Sequence, residues 1–280
     1  MAYENSIDRR YLLRKFDNTK ILLVADLHLG FEAEWAKKGL ATRNPAWSFK
    51  IIDQLKSDIE ETLTDQLIIL GDLEHSFIHF RSLQRNGDGP WVSNKWLREK
   101  ALSYFMREVV GIEGLKVSLI RGNQDTSVIK TMGNQIELEV EKEASLFNRL
   151  GIFHGHMIPG KIVLSSSEIV LGHVHPSIEI IDELGLRHRY PVFAKLTISR
   201  KEALSLFNIQ IEYEEFNLSD QISLTILPAY SRYLPGFILN QKVQKVGKSH
   251  PFPVLQRLIR HPKLRIQLTN GIDLGYLEDL

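Results

Sequence analysis

The chain has 280 residues, 43% hydrophobic and 25% charged, an ordinary globular composition with enough length to bury a large core. It contains no cysteine, which excludes disulfides and thiolate metal sites, so any metal must be held by oxygen and imidazole nitrogen. A formal net charge of +1 gives the whole chain no polyanion-binding character, and no apolar run is long enough to span a bilayer.

Ile21 to Ala25 is a continuous aliphatic run, which suits a strand covered on both faces. Trp47 to Leu63 reads as a helix, with Trp47, Ile51, Ile52, Leu55, Ile59 and Leu63 at helical spacing. Leu67 to Leu70 is another short buried strand, and Phe77 to Trp91, polar and carrying Gly and Pro, reads as a long loop. Asn94 to Val110 is a second amphipathic helix, capped by Ser93 or Asn94, and Val117 to Ile120 is a third strand. Consecutive β-α-β units predict a right-handed α/β layout. Beyond it the text turns strand-rich: Leu150 to Phe153, Glu168 to Leu171, Ile178 to Ile181, Val192 to Ile198 and Ile222 to Leu227. Leu264 to Tyr276 alternates around Asn270-Gly271, a hairpin signal that suits a type I′ turn. No linker interrupts the chain, so residues 1–280 are expected to form one domain, with 177–280 supplying a strand-rich second half. Met1 to Lys20 lacks the apolar core of a signal peptide, and a cytoplasmic location is expected.

Five motifs follow the ends of apolar runs: Asp26-Leu27-His28, Gly71-Asp72 leading to His75, Gly122-Asn123-Gln124-Asp125, His154-Gly155-His156 and Gly172-His173-Val174-His175. In open α/β sheets that edge is where sites form, because the strand ends leave a crevice. Each residue alone has a dull explanation: Asp72 after a glycine is a common turn pair, and a lone His28 is more often a surface histidine. Taken together, carboxylates, imidazoles and an amide oxygen without sulfur suit a divalent cation. Asp26 and His28 are two apart, so on an extended backbone both side chains leave the same side, and His173 and His175 repeat that spacing. Asp26, His28 and His175 would form one site, Asn123, His154 and His173 the other, with Asp72 bridging. Cations about 3.5–4 Å apart can clamp the attacking and leaving oxygens of a phosphoryl displacement and lower the pKa of a shared water.

In this order the motifs resemble the calcineurin-like metallophosphoesterase superfamily, whose pattern is D-x-H, G-D, G-N-H-D, a His-bearing fourth motif and G-H-x-H. The wording is more similar still to the SbcD-related phosphoesterases of archaea, through Ala25 to Gly30, Gly71-Asp72-Leu73 with His75-Ser76, Gly172 to Pro176 and Ile226-Leu227-Pro228-Ala229. The resemblance covers nearly the whole chain. It implies a four-layer α-β-β-α sandwich and two divalent metal ions, usually manganese, with iron, zinc or nickel as alternatives. The implied reaction is hydrolysis of phosphomonoesters or phosphodiesters by a bridging hydroxide, and the nuclease members act on DNA. It also selects His154 as the ligand, leaving His156 to face phosphate; a hydrogen-bonded loop histidine is an equal reading of His156.

One position departs from the pattern. Gln124 stands where the family has a histidine, and an amide can donate a hydrogen bond to a phosphoryl oxygen but cannot deliver a proton. His75 or His156 would have to do the proton work, although a buried partner of a backbone carbonyl describes His75 equally well. The expected function is a phosphodiesterase or nuclease; the alternative is an attenuated scaffold of the same fold that docks a protein partner. Asp125 is expected to orient its loop. Between Gln221 and Ile272 there is no Asp or Glu, while Arg232, Lys242, Lys245, Lys248, Arg257, Arg260, Lys263 and Arg265 fall there. That stretch is either a nucleic-acid contact surface or a solvated basic face. Arg81 and Arg85 read as solvated loop residues, and Trp35, Trp47, Trp91 and Trp96 as packing residues.

Overall fold

The apolar runs of the first half become interior strands because their residues need cover on both faces. The computed structural model describes residues 8–37, 44–75, 94–125, 128, 139–141, 144–147, 149–210, 220–241, 257–258 and 260–280. Strands β1 (Leu12–Phe16), β2 (Thr19–Val24), β3 (Gln66–Leu70), β4 (Lys116–Ile120) and β5 (Glu139–Glu141) form one sheet in that order. β1 runs antiparallel to β2, and the other pairs are parallel. Helices α1 (Glu32–Lys37) and α2 (Ala46–Thr62) lie between β2 and β3 in sequence, and α3 (Asn94–Phe105) precedes β4.

The second sheet contains β6 (Ala144–Phe147), β7 (Leu150–Phe153), β8 (Glu168–Leu171), β9 (Pro176–Ile181), β10 (Arg187–Ser199), β11 (Gln221–Ile226) and β12 (Phe237–Ile238). Their order is β12-β9-β10-β11-β8-β7-β6, with β13 (Arg265–Leu268) on β10 and β14 (Asp273–Tyr276) on β13. Helix α4 (Arg200–Phe207) follows β10.

Side-chain alternation divides the core into three layers of contact. Ile21 and Leu23 of β2, Ile68 and Leu70 of β3 and Ile120 of β4 meet Leu150, Ile152, Val170 and Phe193 of the second sheet. Leu22, Val24, Leu67, Ile69, Val117 and Leu119 point the other way, onto Ile52, Leu55 and Ile59 of α2 and Ala101 and Phe105 of α3. On the far side, Ile169, Leu171, Ala194 and Ile198 meet Ala203 and Phe207 of α4. The result is an α-β-β-α sandwich, and period-two alternation is the reason a strand can serve two layers at once. A polar pair is also enclosed between the sheets: Gln66 Nε2 donates to Ser118 Oγ at 3.2 Å, so neither group is stranded.

Several elements differ from the sequence expectation. The second amphipathic helix ends its α-helical hydrogen bonding at Phe105 and finishes as a π-turn over Met106–Val110. The strand expected from Val192 begins five residues earlier, at Arg187, because its polar start is paired with β9 rather than buried. β1, β5, β6, α1, α4 and β12 lie outside the sequence expectation. A signal for α4 was present: Ser199 Oγ accepts from Glu202 N, and Ser199 N donates to the Glu202 carboxylate, a capping box. The Asn270-Gly271 hairpin forms, but not with a type I′ turn. Gly271 has φ +93° while Asn270 is not among the left-handed residues, and Gly271 N donates to Leu268 O, with Leu268 N to Ile272 O. That is a three-residue loop with glycine at its left-handed position. The expected loop from Phe77 to Trp91, with Arg81 and Arg85, lies outside the described residues.

Candidate metal centre

β2, β3, β4, β7 and β8 end at one edge of the sandwich, and the five motifs leave from there. The backbone does not continue extended, as the two-residue spacing suggested. Asp26, His28, Asp72, His173 and His175 all have left-handed φ angles, 59°, 49°, 51°, 68° and 47°. For residues with a Cβ that conformation costs about 1–2 kcal/mol each. It persists because hydrogen bonds fix the turns: Asp26 N donates to Gly71 O at 3.1 Å and His28 N to Asp72 O at 2.8 Å.

The side chains converge as two groups. In Asp26, His28 and His175 one ligand-type atom from each lies within 4.8 Å of the others, and the same holds for Asp72, His154 and His173. In the first group His175 Nε2 is 3.2 Å from both Asp26 Oδ1 and His28 Nε2. In the second, His154 Nε2 is 3.0 Å from His173 Nδ1 and 3.2 Å from Asn123 Oδ1. Asp72 stands between them: Oδ1 is 3.4 Å from His154 Nε2, and Oδ2 is 3.8 Å from His28 Nε2.

These donors fit divalent cations. His154 Nδ1 lies 2.7 Å from Leu70 O, so the ring donates there and turns its Nε2 toward the carboxylate and amide oxygens, where a cation that displaced the Nε2 proton would meet its lone pair. Asp26 is fully buried; Oδ2 accepts from His173 N at 2.8 Å, while Oδ1 has no well-aligned donor among the described residues. Burial pushes the Asp26 carboxyl up, yet His175, His154 and His28 outweigh it and hold it below its ordinary value. Burial and then the neighbouring imidazole lower His28 and His173 to about 3, leaving both neutral and able to ligate. His154 goes the other way, to about 9, because Asp72, Asp26 and the Leu70 carbonyl outweigh its burial. Its proton marks a point where the surrounding oxygens favour positive charge, and a cation can take that role.

Asp125 holds the loops beneath this cluster. Its Oδ2 accepts from Gly122 N at 2.7 Å and Asp72 N at 2.9 Å, and its Oδ1 from Glu74 N at 3.2 Å. Burial and then the Asp72 charge raise its carboxyl to about 6. Gln124 N donates to Asp72 Oδ1 at 2.9 Å. Gly71 (φ +81°) has no room for a side chain: a Cβ would stand 2.5 Å from His154 Cγ.

A cavity of about 600 Å³ opens over the cluster. Asn123, Gln124 and His156 line it beside His28, Asp72, His173 and His175, and Pro235, Gly236 and Phe237 form an apolar wall. His75, the remaining sequence candidate, is buried behind His28 and is not on that wall; its Nδ1 is 3.1 Å from His28 Nδ1. The apolar wall escaped sequence reasoning because Pro235-Gly236-Phe237 reads as an ordinary turn; only the parallel pairing of Phe237 with Pro176 brings it beside His175. Glu34 likewise gave no signal, sitting in a short unpredicted helix, yet its Oε2 is 3.4 Å from His75 Nε2.

Of the basic residues between 221 and 272, Lys242, Lys245 and Lys248 lie outside the described residues. Arg257 donates to the Ser205 and Leu206 carbonyls at the end of α4, and Arg265 pairs with Asp273 at 2.6 Å. Arg232 approaches Asp8 at 3.7 Å. Trp47 packs in an aromatic stack with Phe31 and Tyr233, Trp35 meets Trp47 edge-on with 4.8 Å between ring centroids, and Trp96 is more than a third exposed.

No protein-family signature and no curated protein matches the chain. Among solved structures it is similar to the nuclease MPE of Pseudomonas putida, with a TM-score of 0.47 and 20% identity over 94% of this chain and 100% of that one. It is also similar to Yfce, a phosphoesterase from E. coli (TM-score 0.32, 17% identity, 60% of this chain and 76% of that one). A third, a predicted phosphoesterase from Streptococcus pneumoniae, has a TM-score of 0.26 and 12% identity over 72% of this chain and 96% of that one.

Proposed function

We propose that this chain is a metal-dependent phosphoesterase acting on phosphodiesters through a dinuclear centre. The observation that carries the reading is the Asp72 carboxylate, which turns one oxygen to each of two His/Asp groups. In this reading Asp26, His28 and His175 hold one ion, Asn123, His154 and His173 the other, and Asp72 both. Divalent cations bound there would polarise the phosphoryl group and supply a hydroxide nucleophile near neutral pH.

The chain's own groups do the rest. Asn123 reaches the cavity from the edge of the second group and orients the phosphoryl group, and the Gln124 amide donates to a phosphoryl oxygen. His156, on the cavity wall, holds the proton for the leaving oxygen. The ligand sets draw on both sheets, which supports residues 1–280 acting as one domain. The finer reading is an SbcD-like manganese enzyme of the cytoplasm acting on nucleic acid, with the acid-free segment as its contact surface. Charge reversal of Lys242, Lys245 and Lys248 should then weaken DNA binding and flatten its salt dependence.

The test is hydrolysis of bis(para-nitrophenyl) phosphate with manganese, beside Asp72→Asn. Turnover that requires manganese and is lost in the variant supports the enzyme; wild-type turnover equal to the variant's overturns it. Gln124 favours the second reading, a protein-docking scaffold with an attenuated site. If Gln124→His raises the rate on an alkyl diester tenfold or more, chemistry is present and limited by the missing proton donor; if it changes nothing, the scaffold stands.

A further inference from the structure

The two groups fix their imidazoles by different means. In the second, the His154 ring is set by a backbone carbonyl, Leu70 O. In the first, His28 Nδ1 faces no carbonyl among the described residues. It faces His75 Nδ1 at 3.1 Å, and the far nitrogen of that ring, Nε2, is 3.4 Å from Glu34 Oε2, an ion-pair distance without the alignment of a hydrogen bond. The His28 and His75 rings meet edge-on, 5.1 Å between centroids at 71°, and Phe31 stands 6.5 Å from His75 on another side.

Two facing ring nitrogens can share only one proton, so their tautomers are linked. A carboxylate accepts but does not donate, so Glu34 selects the His75 tautomer protonated on Nε2. His75 Nδ1 is then an acceptor, and His28 must carry its proton on Nδ1. That leaves the His28 Nε2 lone pair directed at Asp26, Asp72 and His175, which it approaches at 3.9, 3.8 and 3.2 Å. We propose that Glu34 and His75 are positioning residues: a Glu34–His75–His28 relay that fixes the tautomer and ring orientation of His28 and so sets the affinity of the Asp26/His28/His175 site for a divalent cation. The proposal rests on the metal reading above, and it moves His75 out of proton transfer, consistent with its place behind the cavity wall.

Outer partners of a metal-bound histidine typically change affinity about 10–100-fold when removed. The relay therefore predicts an asymmetric result. In calorimetric titration with Mn²⁺, Glu34→Ala and His75→Leu should each retain one ion at wild-type affinity and bind the other about 10–100-fold more weakly. Glu34→Gln keeps an acceptor oxygen for His75 Nε2 and should stay within a few-fold of wild type. A side chain that merely fills space would not separate Gln from Ala in this way. Two-dimensional ¹H–¹⁵N spectra of the zinc-loaded wild type should show His28 protonated on Nδ1. Wild-type affinity for both ions in Glu34→Ala and His75→Leu, equal losses in Glu34→Gln and Glu34→Ala, or an Nε2-protonated His28 would each overturn the relay. Should the wild type bind no metal at all, the metal reading itself fails. Circular dichroism on each variant separates lost binding from lost folding, and Glu34→Gln keeps the test decisive if His75→Leu does not fold.

Discussion

Gly71 and Gly114 make a matched pair for measuring how tightly the strand-end loops pack against the site. Their φ angles are +81° and +80°, but a Cβ on Gly71 would stand 2.5 Å from His154 Cγ and 2.9 Å from Gly122 Cα, whereas one on Gly114 would meet nothing within 4 Å. Alanine at either position takes the left-handed penalty of about 1–2 kcal/mol. Both gain the same small offset from a less free unfolded chain. At Gly71 the overlap adds about 1–3 kcal/mol. Displacing His154 from the Leu70 carbonyl, a 2.7 Å contact, adds about 1 kcal/mol more. Gly71→Ala should thus lie about 2–4 kcal/mol below Gly114→Ala. For a chain of this size that separates their melting temperatures by roughly 3–7 °C. Denaturant titration with chelator present gives the free energies directly. Equal losses in the two variants would refute the argument, because they would show that the His154 ring is free to move aside.

Asp125→Asn should destabilise the chain by about 1–3 kcal/mol, since one amide oxygen cannot serve the three backbone N–H groups the carboxylate accepts; urea titration with an unchanged midpoint would count against this. Tyr230→Phe should cost about 1–3 kcal/mol by removing the 2.6 Å hydrogen bond to buried Asp58. The same pair predicts a pH effect. Burial, opposed by hydrogen bonds from Tyr230 and Gln54, leaves the Asp58 carboxyl above its ordinary value. A carboxyl raised in the folded state contributes stability at pH below its unfolded value near ~3.9, and that contribution is lost as pH rises through the folded value. Asp58→Asn lacks this loss, so the wild-type advantage over the variant should shrink between pH 4 and pH 7; an advantage that grows over that range would reverse the sign.

The strand runs of the first half were legible because a strand buried on both faces has to be apolar throughout: Leu22, Leu23 and Val24 are all fully buried. The motifs were legible because chemistry restricts residue type, and Asp, His and Asn at strand ends without cysteine leave few uses. What the sequence could not supply is direction in space. The two-residue spacing of Asp26 and His28 suggested an extended backbone, and only hydrogen bonds to the neighbouring β3 loop turn both into left-handed kinks. His75 read equally as a proton-transfer group or a buried histidine, and Leu29 pairing with Glu74 across the loops sets it buried behind His28. Glu34 and Phe237 gave no signal because their neighbours are distant in sequence. The sequence by itself determined the α/β first half, the strand-rich second half and the candidate ligands, since burial pattern and side-chain chemistry are local properties; the sandwich was implied by the family resemblance. Which ligand faces which, and which histidine supports another, was decided by the tertiary structure, because those relations depend on loops from separate strands meeting at one edge.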